Sequence, residues 1–157
     1  MATARLGCSL RSVARATGAS LGTVRNLMRP ELGLFGDDRL VPLGPVDVLC
    51  VRALVALGAN RSTNRNAADL HTAALLKRDR TAVALLRAAF TAGTLLPGAR
   101  LLAIDELAWL VAKDHELLAA LDEHPASQLL VLPVGQWAGD LLTGTAGTVP
   151  LTTSSAA

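Results

Sequence analysis

The chain has 157 residues, 51% of them hydrophobic and 18% charged, with a formal net charge of +2. That much Ala, Leu and Val is enough to bury a core, and so sparse a charge excludes an intrinsically disordered protein. The small total also hides an asymmetry. Residues 1–65 carry nine arginines against four acids, whereas residues 66–157 carry six basic residues against nine acids, so a polyanion is the expected partner of the front half.

Residues 1–8 read as a loose arm whose Arg5 can reach phosphate. The informative stretch follows, LRSVARATGASLGTVRNLMR from Leu10 to Arg29. Leu10, Val13 and Ala14 form the apolar side of a first short helix, and Leu21, Val24, Leu27 and Met28 repeat at helical spacing in a second. Between them Thr17-Gly18-Ala19 breaks the chain, with Gly18 free to take the positive φ of a tight turn. Ser9 and Ser20 stand at the two helix starts, where a hydroxyl can accept from an orphan backbone N–H. The remaining face of the second helix is polar and cationic: Gly22, Thr23, Arg25, Asn26 and Arg29. Residues 1–30 contain five arginines and no acid, which is the layout of a helix that reads a DNA major groove.

These residues resemble the MerR-type winged helix-turn-helix regulators. The likeness runs through Leu10-Arg11-Ser12-Val13-Ala14, Thr17-Gly18-Ala19-Ser20-Leu21 and Thr23-Val24-Arg25. It continues through Arg39-Leu40, placed like the tip and return of a wing, and through Pro45-Val46-Asp47-Val48 leading into Leu49–Leu54. It covers roughly the first third of the chain. Gly22 stands where the family usually has an arginine and Asn26-Leu27 where it has an aromatic pair, so the sequence preference of the family is not carried over. The resemblance implies double-stranded DNA as partner and a homodimer as the working form. The residues expected to meet DNA are Thr23, Arg25, Asn26 and Arg29 in the groove or on its rim, with Arg11, Ser12 and Arg39 at phosphates and Ser20 at the helix start.

Further along, Pro30 ends the second helix, and Leu32–Phe35 and Arg39–Leu43 read as the two strands of a wing turning at Gly36-Asp37-Asp38. Pro45–Leu57 reads as a helix that is apolar nearly all round, a core element closed by Gly58. The polar run at 60–68 reads as a hinge. In the rear half, Asp69–Lys77 and Thr81–Phe90 read as helices, Ala99–Ile104 as a strand, Asp105–Leu121 as one long amphipathic helix and Gln128–Val134 as a short apolar strand. The tail at 143–157 has no period and reads as mobile.

The expected fold is therefore mainly α with short strands. A winged helix-turn-helix at 1–59 and the hinge at 60–68 precede a small helix-strand-helix-strand segment at 69–142, which dimerises or senses an effector or protein partner. Cys8 and Cys50 are too few for a disulfide framework or metal motif and read as reduced thiols. His71, His115 and His124 are scattered. The acids from Asp105 to Glu123 read as a solvated helix face, and Trp109 and Trp137 as core residues rather than an effector pocket. No metal site, cofactor site or catalytic constellation is expected, and the protein is read as a non-enzyme. No apolar run spans a bilayer and the N-terminus lacks the centre of a secretory signal, so a cytoplasmic protein without a membrane partner is expected. Two readings from other classes compete with a transcription regulator: a phage or plasmid DNA-packaging or recombination accessory protein, and an antitoxin-like protein-interaction module. The arginine-rich front also matches an organelle transit peptide or a plain solvated helical hairpin.

Overall fold

A computed structural model of the chain describes residues 9–35, 43–58, 70–124 and 129–143. The arm at 1–8, the wing tip with Arg39, the hinge at 60–68 and the tail from 144 lie outside the described residues. Among the described residues six α-helices and a three-stranded antiparallel sheet are formed. In chain order they are α1 (Leu10–Thr17), α2 (Leu21–Leu27), a 3-10 turn (Pro30–Leu32), α3 (Pro45–Ala56), α4 (Leu70–Ala92), β1 (Arg100–Ile104), β2 (Leu107–Val111), α5 (Asp114–Glu123), β3 (Leu129–Leu132) and α6 (Val134–Leu142).

The nearly all-apolar helix α3 is the centre of the molecule. Its Val48, Leu49, Cys50, Val51, Ala53 and Leu54 are buried, and α1, α4 and α6 all pack on it. The helix begins at Pro45, where a missing N–H costs nothing, and Asp47 Oδ2 accepts from the Gly44 N–H at 2.7 Å. One apolar cluster runs from Val13 and Val24 through α3 to Leu86, Leu101, Val134 and Ala138. Helices from the front and rear of the chain therefore share a single core.

Cys50 lies fully inside it, and burial pushes its thiol up to about 12, with nearby Arg87 opposing and Asp47 adding to the shift. Only the thiolate is reactive. In a Cys8→Ser protein, native Cys50 is expected to resist a thiol reagent that modifies it fully after unfolding. Prompt labelling of the native protein would contradict this burial.

The rear of the chain departs from the sequence reading in two places. First, Asp69–Lys77 and Thr81–Phe90 are not separate helices, because α4 is continuous from Leu70 to Ala92. Arg78-Asp79-Arg80 had the polarity of a break, but no glycine or proline interrupts α4. Second, Asp105–Leu121 is not one helix. Asp105 and Glu106 form the two-residue loop of a hairpin, with Ile104 opposite Leu107, and Asp105 takes a left-handed φ of 50°. That conformation is one Asp tolerates better than most residues. The helix starts only at Asp114, where Glu116 accepts from the Ala112 and Lys113 N–H groups at 2.7 and 3.0 Å. Those two donors hold the Glu116 carboxyl below its ordinary range.

In the sheet, ordered β2-β1-β3, Leu101, Ala103 and Leu132 face the main core, while Leu102 and Val111 face α5 in a second small cluster with Ala120. Trp109 packs against that smaller cluster and meets the His124 ring at a tilt of 57°, centroids 5.1 Å apart, and Trp137 packs on the main core beneath the Arg52 guanidinium at 4.2 Å. Burial lowers the Arg52 pKa, and Asp140 opposes that shift.

Candidate nucleic-acid interface

The front of the molecule is built by two capped helices. Ser9 Oγ accepts from the Ser12 N–H at 3.1 Å and Ser20 Oγ from the Thr23 N–H at 3.0 Å. Each cap satisfies a donor that would otherwise be orphaned, worth about 1 kcal/mol. Gly18 closes α1 in the left-handed conformation, φ 72°, and the following Ala19 N–H returns to the Ala14 carbonyl at 3.1 Å. Val13, Ala14, Val24 and Leu27 are buried against the rest of the core. The backs of both helices are thus fixed and their fronts are open.

On that open side stand Arg11 and Arg15, one turn apart on α1, with Arg25 on α2. All three are exposed, and among the described residues none makes an ion pair or hydrogen bond. Arg15 lies in step with Arg11 and joins the set named from sequence. Gly22 is open too, with only the Ser20 Oγ near the place of a Cβ, at 3.9 Å. Thr23 and Asn26 are half-buried on the flank of α2. The Thr23 hydroxyl shares a hydrogen bond with Ser20 Oγ at 2.9 Å, and the Ser12 hydroxyl one with Ser9 Oγ at 3.0 Å. Both hydroxyls therefore belong first to the caps.

Arg29 is displaced from the helix on which it was expected. α2 ends at Leu27, and Arg29 is extended, with φ −64° and ψ 129°, because the proline after it disfavours the helical region. Its guanidinium meets exposed Glu31 at 3.5 Å. A surface pair of this kind is weak and exchangeable.

The first strand of the expected wing does not form. Pro30–Leu32 is a 3-10 turn, Gly33 follows with φ 64°, and Leu34 turns into the core with 3% exposure. Arg80 Nε, reaching across from α4, donates to the Leu32 carbonyl at 2.6 Å, which occupies an acceptor that a strand ladder would need.

Sequence reasoning missed the polar network behind this surface. Arg78 donates to Asp79 Oδ1 through Nε at 3.1 Å and Nη2 at 2.9 Å, to the Leu57 carbonyl at 3.1 Å and to the Asp105 carbonyl at 3.4 Å. One buried guanidinium thus joins the end of α3, the middle of α4 and the hairpin loop. At the other end of α3, Arg87 binds Asp47 at 2.6 Å and lies 5.4 Å from the Phe35 ring. A signal existed: Asp79 falls in helical step with Leu76, Val83, Leu86 and Phe90, at a position where an apolar residue belongs.

Among the described residues no group of three or more His, Cys, Asp or Glu could hold a metal ion, and no helix is long and apolar enough to cross a membrane. Comparison with protein-family models, curated proteins and solved structures finds no match to the chain.

Proposed function

We propose that the chain is a sequence-specific DNA-binding regulator of MerR-like type, with α2 entering the major groove and α1 crossing the backbone. The observation that carries this reading is the set of three exposed, unpaired guanidiniums, Arg11, Arg15 and Arg25, on two helices whose opposite sides are locked into the core. A recognition element needs that combination: fixed geometry behind, unspent donors and positive charge in front. Arg25 is assigned to a base edge or the groove rim, and Arg11 to phosphate with Ser12 beside it.

The working form is a homodimer reading two half-sites. We assign its contact to the outer edge of β3, which pairs on its other side with β1 and leaves Leu129 and Val131 about two-fifths exposed. Among the described residues no strand pairs with that edge, and an unpaired apolar edge invites one.

Binding of genomic fragments followed by titration of an enriched duplex tests the proposal. Wild-type protein is expected to bind with an affinity that falls steeply with salt, and Arg25→Ala to weaken it by about 1–3 kcal/mol while leaving the fold intact. An Arg25→Ala protein that folds and binds unchanged would remove Arg25 from the interface; a wild-type protein that retains no duplex overturns the reading altogether.

The β3 edge also favours a second reading, a protein-interaction module that accepts a partner strand. A stable heteromeric complex with no affinity for DNA would select it.

A further inference from the structure

Helix α4 belongs by sequence to the rear half, yet Arg80 carries its charge to the turn that follows α2. Besides the bond to Leu32, the Arg80 guanidinium lies against Gly33, with Nε, Nη2 and Cζ 3.2, 3.5 and 3.6 Å from where a Cβ would stand. The Leu32 N–H in turn donates to the Arg29 carbonyl at 3.1 Å. Arg29 and Arg80, distant in sequence, therefore flank one short turn.

Arg80 remains exposed, and among the described residues its two terminal nitrogens have no partner. With Nε already engaged, the fork is tethered to the turn while its terminal donors stay unspent. A guanidinium ordered in this way loses less entropy on meeting a phosphate than a freely rotating one. Lys77, three residues earlier on the same face of α4, is exposed and unpaired as well. Around this turn, among the described residues, Arg29 and Arg80 meet one acid, Glu31, whose weak pair with Arg29 a phosphate can displace, and Lys77 stands one helical turn before Arg80.

We infer that Arg80 and Lys77 form a backbone-phosphate clamp, supplied by the rear half to the same duplex that α2 reads. The inference rests on the DNA-binding reading above and extends it to a helix outside the helix pair. Contacts of this class position the protein and carry no base preference.

The test uses the full chain and a short mixed-sequence DNA duplex, titrated between about 50 and about 200 mM salt. Lys77→Gln and Arg80→Gln are each expected to reduce the slope of log affinity against log salt by about 1 and to weaken all duplex sequences alike. Arg80→Lys, which keeps the charge but not the fork, should hold the wild-type slope. If Arg80 only braces the turn, Arg80→Lys and Arg80→Gln will both lower Tm and neither will move the slope, which overturns the inference. Lys77→Gln disturbs no contact, so its slope decides even if Arg80→Gln fails to fold. Wild-type slopes for Lys77→Gln and Arg80→Gln beside a weakened Arg25→Ala remove the clamp alone. Absence of duplex binding by the wild-type protein removes the DNA reading and the clamp together.

Discussion

Replacing Arg78 by methionine is expected to cost the fold about 3–5 kcal/mol near neutral pH, a fall in Tm of roughly 10 °C or more. Arg78 is 5% exposed and Asp79 is 0% exposed, and Asp79 Oδ2 has no hydrogen-bond partner among the described residues. The carboxylate thus depends on the Arg78 guanidinium beside it. Without that group it is a buried charge with nothing opposite, and the Leu57 carbonyl loses its donor from Arg78.

The deficit should depend on pH in a defined direction. Burial raises the Asp79 pKa in the folded protein, and Arg78 holds part of that rise back. In the unfolded chain Asp79 titrates near the ordinary carboxylate value. Between the two values the folded protein keeps a proton that the unfolded chain gives up, so Asp79 makes stability fall as pH rises through the window and stay level above it. Removing Arg78 raises the folded value further and widens the window. The loss caused by Arg78→Met should therefore shrink as pH is lowered from about 7 through about 4, below which the acid becomes neutral in both states. Urea unfolding at several pH values measures this, and a deficit independent of pH would contradict it. A double replacement, Arg78→Met with Asp79→Leu, should recover most of the loss, since an apolar pair in place of a buried ion pair is often neutral.

A single methyl group at Gly135 should be nearly as damaging, at about 3 kcal/mol. A Cβ there would fall on the Leu96 carbonyl oxygen and lie 2.8 and 3.0 Å from the Ala99 nitrogen and oxygen. These are backbone atoms, so no side chain can swing aside. Relief requires α6 to lift from the loop before β1, breaking the bond from the Gly135 N–H to the Ala99 carbonyl at 2.9 Å. Gly139, one turn later on α6, is the internal control, because nothing lies within 4 Å of its Cβ position. Alanine at Gly139 should stabilise by up to about 1 kcal/mol through helix propensity. Thermal melts of Gly135→Ala and Gly139→Ala should therefore move in opposite directions. Two shifts of the same sign would contradict the close approach of α6 to Ala99.

Much of the front half could be read directly. Ser9, Gly18 and Ser20 act within a few residues of themselves, and Val13, Val24 and Leu27 are buried because a helical stripe has one side to hide. Arg29 left its expected helix for an equally local reason, the proline after it. The exposed arginines of α1 and α2 were legible from the absence of acids around them. Arg80 beside Leu32 and Gly33 was not, because it depends on a contact between residues 48 apart in sequence.

What the sequence by itself determined, then, is local: the capped helix pair, the apolar helix α3 and the basic front. Tertiary structure decided the rest. Leu107–Val111 became a strand because β1 offers it a ladder of backbone partners; in isolation, Asp105 and Glu106 ahead of an apolar run satisfy a helix start equally well. Likewise only the packing of α3, α4 and the hairpin turned Arg78 and Asp79 from a surface pair into a buried link, and only the seating of α6 on the loop made Gly135 irreplaceable. The physical reason is the same in each case. Periodicity and capping are properties of neighbours in sequence, whereas strand pairing, desolvation and steric exclusion depend on atoms brought together from elsewhere in the chain.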